Sequence, residues 1–262
     1  MGRLTVIKNR IYSDYFMASR LREYEEIIKQ LSVAGYEHIT FKDYSQKLHS
    51  NALDNKKYFI NRHDIDTDVA TAKEFFKIEK KYDVKATYYF RLSTLDFDFM
   101  REIESYGSEA SYHFEEIAQY CKDKHIKSKD EAIHQMKSIK NIFKNNFKMI
   151  EKKVGVKLHT VCSHGDFVNR KLSIINNEIT KDDRLRNELG IVCETYDKDI
   201  MKSFDIYIAD KPYPTFYSPE SIFMYIGHKD IICMLTHPRQ WRVSPIINTL
   251  DNIKRVYEGL RW

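Results

Sequence analysis

From residue 57 onward, short apolar runs alternate with longer segments whose apolar residues recur at helical spacing. "KYFINRHD" predicts a strand, "DVATAKEFFKIEKKYD" a helix, "KATYYFR" a strand and "FDFMREIESYG" a helix. The rhythm continues with a strand in "SEASYHF", one long helix in "KSKDEAIHQMKSIKNIFKNNFKMIEKKVG", a strand in "KLHTVCSHG" and a helix in "KDDRLRNELG". Three further strands, "IVCET", "DIYIAD" and "KDIICMLTHP", and a last helix in "IINTLDNIKRVYEG" complete it, with a Tyr- and Pro-rich loop, "DKPYPTFYSP", between the second and third of these strands. Ahead of it all, "SRLREYEEIIKQLSVAGYEHITF" reads as a helix capped at Ser19, stopped at Gly35 and followed by a short strand. Such alternation predicts an α/β fold with a mainly parallel sheet covered by helices. No repeat or linker divides residues 1–262, so the chain reads as one domain with an N-terminal helix-strand preface. Seven regular strands favour a distorted (β/α)7-type barrel, and no G-x-G-x-x-G follows the first of them to suggest a dinucleotide fold.

Polar residues gather at one end of these strands. Asp64 and Asp66, Arg91, His113, His164, Glu194, Asp210 and His237 each fall at or just past a strand's C-terminal end. Parallel strands bring those ends to one face, where barrel enzymes build their sites. Side chains alternate along a strand, so Asp64 and Asp66 point the same way. Two ionised carboxylates side by side repel, which favours a cation between them or a proton on one. The competing reading is a strand end and a helix start capped by Asp66, Thr67 or Asp68. Arg62 and His63 are read as facing away from the pair, in structural hydrogen bonds. Arg91 is placed to grip a substrate anion or to pair with Asp64, and Glu194 to support the site by hydrogen bonding.

Composition changes this picture little. Hydrophobic residues make up 42% and charged residues 31%, and the 43 basic residues interleave with 38 acidic ones, giving +5 without a basic arm for nucleic acid. No stretch resembles a signal peptide or approaches the ~20 apolar residues of a membrane span, so no transmembrane segment and a cytoplasmic location are expected. Cys121, Cys162, Cys193 and Cys233 lack C-x-x-C spacing and read as buried, reduced thiols.

The ordered set "RHDID", "EASYHFEE", "TVCSHG" and "MLTHPRQW" resembles the motifs of the polysaccharide deacetylase (NodB-like, carbohydrate esterase family 4-related) superfamily. It is most similar to the divergent branch with an HDxD first motif, associated with surface-polysaccharide biosynthesis. The resemblance runs from about residue 20 to the end. It implies a distorted barrel of about seven βα units and metal-dependent hydrolysis of an acetyl group from an acetylated sugar or glycan precursor. By position, Asp64 matches the general base, Asp66 and His113 metal ligands, and His237 the general acid.

Two departures stand out. Where the family's second motif has another histidine, this chain has Ile117, and the family's third-motif arginine is absent. His164 is the expected replacement ligand, with Glu115 or Glu116 as alternatives; an Asp/His/His set suits a divalent metal, zinc above all. Asp210 is left to orient a partner in the site. Arg91 and Arg239 are candidate anion contacts for substrate, Trp241 a surface on which a sugar ring could stack, and the Tyr/Pro loop a wall of a carbohydrate groove. The alternatives are a metal hydrolase of another C–N or phosphoester substrate and a degenerate, non-catalytic glycan-binding barrel.

Overall fold

The computed structural model describes residues 3–262. Its nine strands are β1 (Tyr36–Ile39), β2 (Lys57–Ile65), β3 (Thr87–Phe90), β4 (Glu109–Phe114), β5 (Thr160–Ser163), β6 (Cys193–Glu194), β7 (Ile206–Asp210), β8 (Tyr217–Ser218) and β9 (Ile231–Thr236). They form one curled sheet in the order β6-β5-β4-β3-β2-β9-β7-β8, with β1 also on β2, and every pairing is parallel except β7 with β8. The distorted barrel expected from the sequence is therefore present as a curled half-barrel. Among the described residues no ladder joins β6 to β8, so the curl stays open. β6 is two residues long because the backbone N–H of Glu194 donates to the Asp197 carboxylate instead of extending the strand.

β2 is the hub. Its first half pairs with β1, its second half with β3, and its other edge with β9. Eight of its nine residues are buried, as expected for a parallel strand covered on both faces. Tyr58 and Ile60 enter one apolar cluster with Phe41, Tyr44, Cys193 and Cys233, while Phe59 enters another with Tyr24, Phe75 and Trp241. This alternation is what brings Arg62 and Asp64 to the concave side and Asn61 and His63 to the other.

Immediately after β2, the helix Val69–Lys81 is capped by Asp68, whose carboxylate accepts from the Thr71 N–H at 3.1 Å. Capping thus falls to Asp68 and leaves Asp66 free for other work. The long helix expected over 127–155 is two helices, Lys129–His134 and Met136–Val154, that meet at a one-residue turn at Gln135, φ −86° and ψ 0°. A helix that the sequence pattern did not disclose, Arg3–Tyr15, lies against the last helix, Pro245–Arg261. All four cysteines are free and buried, as expected.

Glu109, at the start of β4, is buried on the concave side and accepts from the Lys42 N–H, Thr87 and Thr160. Burial outweighs these bonds and pushes its carboxyl up to about 7. A carboxyl with a raised folded pKa binds more protons folded than unfolded, so this group costs stability as pH rises from about 4.5 to about 7. Glu109→Gln should remove that cost. Denaturant unfolding is expected to show the variant gaining on the parent across this range, by up to ~3 kcal/mol at and above neutrality; a difference independent of pH would refute the assignment.

Candidate metal and acid–base site

The Asp64 side chain, 3% exposed, is clamped by the fully buried Arg62, Nε to Oδ1 at 2.8 Å and Nη2 to Oδ2 at 2.7 Å. Arg62 therefore does not face away from the carboxylates. It stands two residues before Asp64, on the same side of the strand, and its Nη2 also reaches the Cys162 thiol and the Tyr196 hydroxyl. Burial would raise the Asp64 carboxyl, but Arg62 outweighs it, helped by His113, and holds the group ionised at about 2. His63 does turn away, donating or accepting at Thr236 Oγ1 and meeting the buried Glu79 at 2.7 Å beside Tyr24 and Tyr88.

Asp66 lies beyond the strand end with two imidazoles facing it. His113 Nε2 and His164 Nε2 are 3.2 and 3.5 Å from Asp66 Oδ1. That oxygen is buried and has no hydrogen bond. The two imidazoles lower the Asp66 carboxyl well below its ordinary value against the opposing effect of burial. His113 Nδ1 lies 3.0 Å from the Cys162 carbonyl, an acceptor only, so this nitrogen carries a proton and the neutral ring has its lone pair at Nε2, on the Asp66 side. His164 Nδ1 sits 3.2 Å from the Glu115 carboxylate. The carbonyl behind His113 is the kind of support by which proteins orient metal ligands, whereas His164 Nδ1 meets Glu115 without a hydrogen bond. Ligand atoms of Asp66, His113 and His164 all lie within 4.8 Å of one another, and the donor set and the unbonded Asp66 oxygen both fit a divalent cation.

The alternative third ligands are otherwise engaged. Glu115 is held by Arg91 through three hydrogen bonds of 2.6 to 3.0 Å. Glu116 accepts from Tyr112 and Asn146, and burial raises it to about 7. Ile117, where a second histidine was looked for, is fully buried in the apolar core.

Across the site, His237 Nδ1 donates to Asp210 Oδ1 at 2.6 Å, and the other Asp210 oxygen accepts from the His237 N–H and from Trp241 Nε1. Burial opposes charge on His237, but Asp210, Asp66 and Asp64 outweigh it and raise the imidazole to about 9. His237, Asp66 and Asp210 open on one cavity of about 240 Å³, with Arg10, Lys211 and Arg255 around it.

Three expectations for substrate contacts are corrected by packing. Trp241 is fully buried against Tyr24, Phe75 and Tyr217, so no sugar ring can lie on it; it locks Asp210 instead. Arg239 is spent on Asp14, Asp251 and Asn252, tying the first and last helices to the site wall. Arg91 pairs with Glu115, not Asp64, leaving its Nη1 3.4 Å from the Asp66 carbonyl. Glu194 accepts from Ser163 and the Tyr196 N–H, and so steadies the loop that carries Tyr196 to Arg62. The Tyr/Pro loop lines a neighbouring cavity of about 470 Å³ with Val6, Asn9 and Arg10.

Sequence reasoning missed two members of this site. Arg62 was legible from the i, i+2 spacing alone. Cys162 was not, because its Sγ comes within 3.6 to 3.7 Å of Asp64 only through the curl of the sheet across the β2–β3, β3–β4 and β4–β5 pairings. It creates a second possible donor set, Asp64, His113 and Cys162, wholly buried.

Arg62→Met should leave Asp64 buried without its counter-charge, a loss of about 3–5 kcal/mol in denaturant unfolding; a loss under about 1 kcal/mol would show the clamp to be incidental. In the metal-free state His164 is raised to about 9, because Asp66 and Glu115 outweigh burial. Its proton must leave before Nε2 can ligate, so zinc affinity should climb as pH rises toward about 9. Calorimetric titration checks this: the steepness should be lost in His164→Ala and moved to lower pH in Glu115→Gln.

No family model and no curated protein sequence matches this chain. Among solved structures it is similar to the Streptococcus pyogenes deacetylase PplD, solved in complex with acetate, at 14% identity and a TM-score of 0.49, over 96% of this chain and 92% of that one. It is also similar to a CE4 family pseudoenzyme from Bacillus anthracis, at 15% identity and a TM-score of 0.41, over 80% of this chain and 66% of that one. A mutant of that pseudoenzyme with restored enzymatic activity gives 16% identity and the same TM-score of 0.41, over 80% and 69%. What the site does rests on its own geometry.

Proposed function

We propose that this protein is a metal-dependent deacetylase that removes an acetyl group from an acetylated sugar, a precursor in surface-glycan synthesis. The observation that carries the reading is Asp66 Oδ1: buried, without a hydrogen bond, and facing two imidazole nitrogens. Close by stand a carboxylate held ionised by an arginine and an imidazole held protonated by a carboxylate. A binding module needs no such opposed pair of proton carriers.

Asp66, His113 and His164 would hold the cation, zinc being the best match to an Asp/His/His set. Bound there, it would polarise the acetyl carbonyl and acidify a water. Asp64 takes the water's proton as the water oxygen bonds to the acetyl carbon. Arg62 keeps Asp64 ionised and fixes its direction. Because the clamp also makes Asp64 a weak base, the water it deprotonates must be an acidic one. His237, protonated through Asp210, gives its proton to the departing nitrogen or oxygen as the C–N or C–O bond breaks, and acetate leaves. Trp241 holds Asp210 from behind, so the acid stays aimed into the cavity that Asp66 shares.

Acetate release from acetylated amino sugars by the zinc-loaded protein is the test. Asp64→Asn and His237→Ala are each expected to slow it about a hundredfold or more. Asp210 raises the acid, so the rate should fall on an alkaline limb. Asp210→Asn removes the anion that raises it, so the alkaline limb should move to lower pH while zinc stoichiometry stays unchanged. No acetate from any acetylated sugar at full zinc occupancy, or an alkaline limb unmoved in Asp210→Asn, would overturn the proposal.

A further inference from the structure

Of the nineteen large apolar side chains exposed among the described residues, eleven lie on just two helices, Arg3–Tyr15 and Pro245–Arg261. These helices run antiparallel: Tyr15 meets Thr249, Asp14 meets Asn248 and Asn252, and Arg10 reaches Asn252. The last helix is inside out. Its polar residues Asn248, Asp251 and Glu258 turn inward to Asp14, Arg239 and Lys122. Ile246, Leu250, Ile253, Tyr257 and Leu260, spaced alternately four and three residues apart, face solvent at 57 to 83% exposure. On the first helix Leu4, Ile7 and Ile11 repeat that spacing, at 47 to 83%. A contiguous apolar face of this kind marks a contact surface.

We propose that this face docks on an anionic phospholipid surface. The charge around it selects that occupant. The three acidic side chains of the two helices are at most 19% exposed, and each is shared between two bases: Asp14 by Arg10 and Arg239, Asp251 by Arg239 and Arg255, Glu258 by Lys122 and Lys254. Exposed charge on the pair is therefore positive, from Lys8, Lys254, Arg255 and Arg261. An apolar stripe flanked by bases is the pattern of helices that lie in a membrane interface. A second copy fits less well, because pairing the heptad-spaced seam with itself requires opposite charges on its flanks, and here they are alike. No helix is long and apolar enough to cross a membrane, so the pair lies on the surface.

The face adjoins the reaction site. Ile247, Leu250 and Lys254 of the last helix line a cavity of about 380 Å³ together with Asp66, Thr67 and Arg91. Docking would hold that opening at the lipid surface, within reach of a glycan carried on a lipid anchor; this consequence rests on the deacetylase reading, whereas docking itself does not.

The test is flotation of the full chain with vesicles of phosphatidylcholine alone and of phosphatidylcholine with equimolar phosphatidylglycerol, without substrate. The parent should float only with the anionic vesicles, less so at high salt. Ile253→Asp combined with Leu260→Asp, both at exposed positions, should weaken this by about tenfold or more with an unchanged thermal midpoint. Absence of binding, equal binding to both vesicles, or unaltered binding by the double variant would each overturn docking. A concentration-dependent dimer abolished by the same substitutions, with no vesicle binding, would assign the face to a second copy. Acetate release from a soluble acetylated sugar tells a failure of docking from a failure of the reaction proposed above.

Discussion

Everything at this site follows from placing two carboxylates, a buried Asp64 and a half-buried Asp66, at the end of one strand. Neither can stay ionised there without a compensating charge close by. The two are compensated differently. Asp64 has a permanent cation, Arg62, bonded through both oxygens. Asp66 has only imidazoles, which titrate, and one of its buried oxygens is left without a hydrogen bond. A fixed clamp makes one carboxylate a stable, directed proton acceptor, while the looser arrangement leaves the other able to take a cation.

The same logic divides the two sides of β2. Its concave side carries Arg62 and Asp64, whose charges serve the reaction. Its other side carries Asn61 and His63, which join Tyr24, Tyr88 and Glu79 in a buried network. Through Thr236 that network touches the residue before His237, and through the stack of Tyr24, Phe75 and Trp241 it braces Asp210. Base and acid are thus built on adjacent parallel strands, β2 and β9, and held by one layer of packing behind them.

The regular part of the fold was legible because parallel strands and amphipathic helices leave strong periodic signals, and the strand-end placement of Asp64, Asp66, His113, His164 and His237 followed from those periods. What was misjudged depended on contacts between distant segments. Trp241 and Arg239 look like surface groups in "RQW", yet tertiary packing buries one beside Asp210 and spends the other on Asp14 and Asp251. For Arg91 the sequence left a substrate anion and Asp64 both open, whereas Glu115, one strand further on than Arg91, is the partner it meets. The role of Arg62 was misread for a plainer reason: strand alternation already put it beside Asp64. The first helix escaped notice because its apolar residues face outward and its packing contacts are polar, which inverts the usual signature.

The central claim is that the cation belongs to Asp66, His113 and His164 while Asp64 stays with Arg62. Anomalous diffraction at the zinc edge from zinc-soaked crystals tests it most directly, because His113 is shared by two donor sets and the density must choose between them. The account predicts a single peak among Asp66, His113 and His164, with Asp64 still bonded to Arg62 through both oxygens. A peak among Asp64, His113 and Cys162 would contradict it, since the proposed base would then be a metal ligand.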